Sequence, residues 1–480
     1  MRRWWQRWLL VLIGLVLWST AYLHVAQNWR WLIAGDTLGY VATGYQWAAG
    51  EAPANPWAQD RGVLYIGWPE AAWFNWPMVV IAPTAFWHHV GKLGLVLAGV
   101  GALGLYFWLL VGRWAILPIA LLLLNYYWVA TSLNHMAHQW SHITAGLAMA
   151  GAIAVVRWPR RWWGLGVLIV GVGTAPWFSR IAWMEAAIAG AIGWYVLTWG
   201  RRLVLLAGTV ALAWPILTQV AVLRRNSLQA MGYQWPSPIA RLLHDWQITT
   251  MLLWDTPPWH HLLCGAWVVW PFYALGAGLA VVATGRWVWR RWAVLRLHVG
   301  WTVVLAQLLL VTAGIAMTQP SQYAHPSQNR AYHIVPYQSF LTAVPVMWIG
   351  QWSPWLGVLG ATALIAVTAR DLRKLDRCPS RSCGGGNVWD ALVEVTQDYG
   401  PVNFVTARAD LRALIQRPGE LLNRMHGLHR TVWPSAVPIA EAPIVCRLAT
   451  EPVTPFPPGE RVPLRASPEL LCVWSHGGLS

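Results

Sequence analysis

Charge is what this chain has least of, and acid least of all. Of its 480 residues only 11% are charged, with 18 Asp and Glu against 34 Lys and Arg. Just seven acids precede residue 371: Asp36, Glu51, Asp60, Glu70, Glu185, Asp245 and Asp255. Lysine is nearly absent beyond Lys92 and Lys374. With 57% hydrophobic residues and a mean hydropathy of +0.42, this balance excludes a soluble globule. No closed-barrel alternation of apolar and polar residues is present, so helices do the spanning. No nucleotide-cradling glycine loop occurs, and Gly384-Gly385-Gly386 reads as a linker. No CxxC pair marks a zinc site. The net charge of +16 is no footprint of nucleic acid, because the arginines fall in short clusters between apolar runs, as the positive-inside rule requires.

What is present is a series of apolar runs near the ~20 residues a bilayer-crossing helix needs. Forty tryptophans, many flanking those runs, suit interfacial belts. The start Met1-Arg2-Arg3-Trp4-Trp5-Gln6-Arg7 before residues 8–27 reads as a retained signal anchor with a cytoplasmic N-terminus. A long outer loop, about 28–75, follows. Residues 73–90, interrupted by Pro77 and Pro83 and ending in Trp87-His88-His89, read as a surface or re-entrant piece. Further spans are expected at 93–112 and 115–132 around cytoplasmic Arg113, then at 141–156, 163–178, 181–199, 203–222, 261–284, 297–316, 334–350 and 353–369.

The expected fold is an all-α polytopic membrane protein of about eleven transmembrane helices, residues 1–377, with outer loops 28–75, 224–260 and 317–333. The apolar stretch around 246–254 suggests a helix lying in the interface. All seven early acids fall outside or near an outer helix end. Arg370, Arg373, Lys374 and Arg377 pull the C-terminus toward the cytoplasm, whereas an odd number of spans puts it outside. The stronger upstream arginine clusters favour outside.

From residue 378 acids become frequent and no run can span. Residues 378–480 are expected to form a small soluble α/β domain, with helices at 387–399 and 408–427 and strands at 401–406, 443–448 and 469–474. Cys378, Cys383, Cys446 and Cys472 allow two disulfides in an oxidising space, with a zinc site as the competing reading.

Chemistry is expected in the outer loops. Gly35-Asp36-Thr37-Leu38-Gly39-Tyr40, continuing through Gly44 and Tyr45 to Gly50-Glu51-Ala52-Pro53, places a lone acid just past the first span. This pattern resembles the first outer loop of the GT-C superfamily, the polytopic glycosyltransferases that use polyprenyl-phosphate sugars, of mannosyltransferase or arabinosyltransferase type. Trp73-Phe74-Asn75-Trp76-Pro77-Met78 is similar to that family's surface helix. Arg330-Ala331-Tyr332-His333-Ile334-Val335-Pro336 is similar to the Arg-Tyr and Pro pattern before its late spans. Together the matches cover roughly a quarter of the chain. Many members have an Asp-Glu pair where this chain has Asp36-Thr37, and no second acid aligns.

The resemblance implies an inverting transferase in the plasma membrane, acting on its extracytoplasmic side, with a polyprenyl-phosphate-linked sugar as donor and a glycan, lipid or protein as acceptor. Glycosyl transfer needs a proton acceptor for the attacking hydroxyl, for which Asp36 is the candidate. The competing structural reading of Asp36 is an N-cap of an interfacial helix. The leaving lipid phosphate needs a fixed cation, for which Arg330, then Arg61 or Arg180, are candidates. Tyr40, Glu51, Asp60, Tyr332 and His333 are candidate substrate contacts. No cofactor is certain. His135, His138 and His142, spaced i, i+3, i+7, could hold a divalent metal or remain solvated interfacial histidines. Glu185 suits a buried proton or ion path, or a structural pair with Arg180. The rival function is a non-enzymatic transporter or flippase of lipid-linked saccharide, for which internal repeats and broken helices would be the mark.

Overall fold

The structure is a computed structural model. It describes residues 2–28, 80–81, 85–134, 139–177, 180–230, 238–251, 253, 266–289, 296–318, 332–372, 394–396, 398–406, 432–436, 438–439, 442–448, 459–464 and 470–474. The chain forms two compact units, one of Met1–Gly62, Ala71–Leu93 and Cys378–Ser480, the other of Val63–Glu70 and Gly94–Arg377.

Helix α1 (Arg2–Asn28) belongs to the first unit. Helix α2 (Ala85–Val111) begins there and carries the chain into the second. His88 and His89, expected in a surface piece, instead lie in the opening turns of α2, because no proline follows Pro83 to interrupt the apolar run. The helical stretch His89–Leu123 is long and apolar enough to cross a membrane, with a mean hydropathy of 2.1. Shorter apolar helices are Val11–Ala26, Trp162–Trp177, Val269–Gly285, Gly300–Ala316 and Pro354–Arg370.

The His89–Leu123 stretch is not one rod. Gly112 has a φ of 62°, the left-handed conformation that ends helices. A methyl group on Gly104 would lie 4.0 Å from Ile119 Cγ1, although 15 residues of straight helix would separate the two by about 22 Å. The chain therefore doubles back at Gly112, with Arg113 in the turn, where the sequence placed a reversal.

The returning arm differs from expectation. Instead of one span over 115–132 it comprises α3 (Ile116–Leu123) and α4 (Tyr126–Asn134). At the break the Asn125 side chain accepts the Trp128 backbone N–H at 2.9 Å, a local bond that competes with helix continuation.

Helices α5 (Gln139–Arg157), α6 (Trp162–Thr174) and α7 (Arg180–Val196) follow. The α5–α6 pair is in backbone-to-backbone contact. A methyl on Gly151 would collide with the backbone of Leu168, one on Gly171 with Ala148, and one on Gly164 would come within 2.9 Å of Ala154 Cβ. Small residues at such points replace the hydrophobic drive that lipid cannot supply between helices.

Helix α8 (Trp199–Ala230) runs past the expected end at 222, so Arg224 and Arg225 continue the helix rather than open a loop. Helix α9 (Pro238–Thr250) exposes Ile239, Leu242, Leu243 and Trp246 on one side and buries Ile248. It starts earlier than the expected interfacial helix but has that amphipathic character. The remaining helices are α10 (Ala266–Trp289), α11 (Arg296–Thr318), α12 (Val335–Trp352) and α13 (Pro354–Leu372).

Helix α12 is the core of the second unit. Every residue from Val335 to Met347 is buried, and α3, α10, α11 and α13 pack on it. Gly276 of α10 lies against the Leu341 carbonyl of α12, leaving no room for a side chain. By contrast α8 exposes Leu203, Val204, Leu206, Val210 and Leu212, and α13 exposes Trp355, Leu356, Val358 and Leu359. Apolar faces of this extent are stable against lipid, not water.

In the first unit, β1 (Val402–Val405), β2 (Val432–Ser435), β3 (Ile444–Leu448) and β4 (Leu470–Trp474) form a sheet of order β2-β1-β3-β4. Strand β1 is parallel to β2 and β3, and β3 is antiparallel to β4. Val405, Val445 and Val473 form a core cluster. The buried Asn403 side chain donates to Ser435 Oγ at 2.8 Å and accepts Ile439 N–H at 3.0 Å. Strands β1, β3 and β4 lie within one residue of expectation. Strand β2 was not foreseen because Pro434 speaks against a strand, and it is tolerated because β2 is an edge. The expected helix 387–399 is described only at 394–396 and 398–399, and 408–427 lies outside the described residues, as do Cys378 and Cys383. Cys446 and Cys472 face each other in register and form a disulfide.

Gly151→Val, forcing α5 from α6, is expected to cost about 1–3 kcal/mol by overpacking, read as a lowered midpoint in a thermal unfolding series of the purified chain. Reduction of Cys446–Cys472, which closes a loop across a sequence separation of 26, is expected to cost about 3 kcal/mol. Thermal unfolding of the whole chain with and without reductant, against a Cys446→Ala/Cys472→Ala variant, measures it; a variant as stable as the oxidised wild type contradicts it.

Candidate functional site

The first turn of α4, the starts of α5 and α7, and the 3-10 turn Tyr332–Ile334 that leads into α12 meet at one end of the second unit. There they bury an unusual density of polar side chains. Ser141 and His142 come from the first turn of α5, Glu185 from the second turn of α7, His333 from the turn and Tyr337 from the start of α12. All five are at most 1% exposed.

The Tyr337 hydroxyl donates to Glu185 Oε1 at 2.9 Å. Glu185 Oε2 has no hydrogen-bond partner among the described residues, and His333 Nδ1 stands 3.9 Å from it. The same Nδ1 is 3.0 Å from Ser141 Oγ. The Arg180 side chain, considered as a partner for Glu185, lies outside the described residues. A second buried pair extends the polar string, with Tyr106 of α2 donating to Gln307 Oε1 of α11 at 2.5 Å.

Serine, histidine and glutamate together suggest a nucleophile with its base, but the geometry excludes that. A proton relay needs serine and acid on opposite ring nitrogens, whereas here both approach Nδ1. Ser141 is moreover fully buried. The cluster instead ties α5, α7 and α12 together, which suits a low-dielectric interior where a polar group without a partner is costly.

An aromatic stack continues from it. Tyr332 lies over Trp128, with ring centroids 5.7 Å apart and an interplanar angle of 11°, and beside His142 at 4.5 Å. His142 and His333 meet edge to face at 6.0 Å. The turn leading into α12 is thus held by stacking on one residue and polar contacts on the next.

Of the residues expected from sequence, Tyr332, His333 and His142 are brought together here, each buried. Arg180 opens α7. Asp36, Tyr40, Glu51, Asp60, Arg61, Arg330, His135 and His138 lie outside the described residues. The described residues bring no three of His, Cys, Asp and Glu together as a metal site. Asp245, itself partly buried, pairs with Arg241 one turn earlier at 3.8 Å and with His244 at 3.5 Å. Ser141, Tyr337 and Trp128 were missed. Their partners lie far along the chain, 152 residues for Tyr337 and Glu185, and no local spacing announces them.

No protein-family model and no curated protein matches this chain. Among solved structures, the crystal structure of ArnT from Cupriavidus metallidurans bound to undecaprenyl phosphate matches with a TM-score of 0.51. The match covers 96% of this chain and 97% of that chain, at 11% identity. The chain shares the fold of that structure. The resemblance drawn from Asp36, Tyr40 and the Arg330 segment covered a quarter of the sequence, whereas the shared fold extends over nearly all of it. At such low identity the likeness carries the fold and assigns no residue.

Tyr337→Phe, which leaves Glu185 Oε1 buried without its donor, is expected to cost about 1–3 kcal/mol. Glu185→Gln keeps an acceptor for that hydroxyl and should cost less. Thermal unfolding in detergent checks the order, and a Gln variant less stable than the Phe variant would mean that the charge itself is required.

Proposed function

We propose that this chain is a multi-pass membrane glycosyltransferase that moves a sugar from a polyprenyl-phosphate donor to a glycan, lipid or protein on the outer face of the plasma membrane. The observation that carries the reading is the shared fold, matched over 96% of the chain to a protein whose crystal structure contains undecaprenyl phosphate. The first-loop pattern around Asp36 supports it from the sequence itself.

In this reading Asp36 takes the proton of the acceptor hydroxyl as its oxygen attacks the anomeric carbon, and the bond to the lipid phosphate breaks with inversion. Arg330, with Arg61 or Arg180, neutralises the departing phosphate; a guanidinium keeps its charge and fits two phosphate oxygens at once. Tyr332 and His333, two and three residues beyond Arg330, are anchored in the stack and the polar cluster, so the third outer loop re-enters the bundle at a fixed point. Tyr40, Glu51 and Asp60 would contact substrate from the first loop. A divalent ion, if used, would draw on His135 and His138 or on acids of that loop, since His142 is engaged with Tyr332. The Cys446–Cys472 disulfide favours an oxidising compartment for the C-terminal domain, in keeping with an outer C-terminus and an odd number of spans.

The test is sugar transfer by the purified protein from a polyprenyl-phosphate sugar, with stereochemistry at the new bond read by NMR. Asp36→Asn is expected to lower turnover by about 10²–10⁴-fold with donor binding retained. Undiminished transfer by that variant removes Asp36 as the base. Movement of the lipid-linked sugar across a vesicle membrane without any transfer would favour the carrier instead.

A further inference from the structure

We infer that the opposite end of the helical bundle, where the α5–α6 and α7–α8 turns meet, is a binding site for the headgroup of an anionic phospholipid. Five arginines gather there: Arg157, Arg160 and Arg161 on the first turn, Arg201 and Arg202 at the start of α8. The two from α8 are fixed. The Arg201 guanidinium lies 4.5 Å over the Trp162 ring, and its Nη2 donates to the Arg160 carbonyl at 2.9 Å, which clamps one turn to the other. Arg202 Nε donates to the Leu197 carbonyl at 2.8 Å and its Nη2 to the Tyr195 carbonyl at 3.3 Å, satisfying backbone acceptors left open at the end of α7.

Arg157, Arg160 and Arg161 are exposed. Among the described residues none of the five arginines is in an ion pair, and Glu185, the one acid between residues 157 and 202, belongs to the other end. Among the described residues the positive charge is therefore uncompensated, and Arg201 and Arg202 hold part of it in a defined geometry. Orienting a helix in a membrane needs only the number of cations in a loop; it does not need two of them stacked and hydrogen-bonded. Guanidinium groups held this way match phosphate oxygens in pairs.

The surface next to the arginines selects the source of the phosphate. Trp162, Trp163 and Val170 of α6 and Leu203, Val204 and Leu206 of α8 are exposed, so an apolar face runs from the cationic turns along both helices. A free phosphate would satisfy the arginines and leave that face bare. A phosphodiester with two acyl chains covers both, with the tryptophans at headgroup level.

The test needs no sugar transfer, so it stands apart from the proposed reaction. Native mass spectrometry of the purified full chain would count retained dioleoyl phosphatidylglycerol and dioleoyl phosphatidylcholine. Phosphatidylglycerol should be retained at a concentration on the order of a hundredfold lower, as roughly 1 kcal/mol for each of the exposed Arg157, Arg160 and Arg161 implies. The Arg157→Gln/Arg160→Gln/Arg161→Gln variant should lose that preference. Should it fail to fold, Arg160→Lys/Arg161→Lys, which keeps the charge but not the two-pronged guanidinium donor, should show an intermediate one. Equal retention of the two lipids by the wild type, full preference in either variant, or displacement of phosphatidylglycerol by an equal concentration of inorganic phosphate would overturn the inference.

Discussion

The second unit is organised by the requirement that polar groups taken out of water find partners inside the protein. At the Glu185 carboxyl that requirement reaches across most of the sequence. Tyr337 donates to it from α12 and His333 stands 3.9 Å from it on the turn before α12, while Ser141 reaches the same imidazole from α5. Apolar contacts between helices are tolerant of sliding and rotation, since one leucine serves much as another. A carboxyl facing one phenol and one imidazole is not, and so the cluster fixes the rotation of α7 and the starting point of α12. Tyr106 and Gln307 repeat the device between α2 and α11.

Close packing supplies the rest. The Gly151, Gly164 and Gly171 contacts bring α5 and α6 together along their lengths, and Gly276 admits the Leu341 carbonyl between α10 and α12. Dispersion between backbones falls off steeply with distance, so these contacts work only at small residues. They hold α5 and α10 where Ser141 and the buried face of α12 can meet the groups they serve. Order at the polar cluster thus depends on glycine positions several turns away.

Much of the architecture was legible because the bilayer imposes length and charge rules that act on local sequence. The reversal at Gly112–Arg113, the Arg157–Arg161 turn and the tight Trp352–Pro354 connection all sit where an apolar run ends in a turn residue or a cationic one. The misreadings have local causes as well. Asn125 breaks a run by bonding Trp128 N–H, which hydropathy does not register, and α8 continues to Ala230 because polar residues such as Arg224 and Gln229 are good helix formers. Strand β2 was hidden by Pro434, which hydrogen-bond rules permit only at an edge. The site was legible in outline through Tyr332 and His333. Ser141 and Tyr337 were not, because a hydrogen bond across 152 or 192 residues leaves no spacing to detect.

The two ends of the bundle obey opposite electrostatic rules. At the Arg160 end, charges remain where water and headgroups can solvate them, and the protein fixes guanidinium groups with carbonyl oxygens and indole rings, neither of which cancels charge. At the Glu185 end, ionisable groups are enclosed and face one another. Replacing such a buried set by apolar residues of equal volume is commonly neutral or stabilising, so stability alone does not account for Glu185 in a chain this poor in acid. Its geometry supplies a reason: Tyr337 and His333 approach different oxygens of one carboxyl, and a methyl-bearing side chain could satisfy neither. The carboxyl therefore sets where the chain turns from Tyr332–Ile334 into α12.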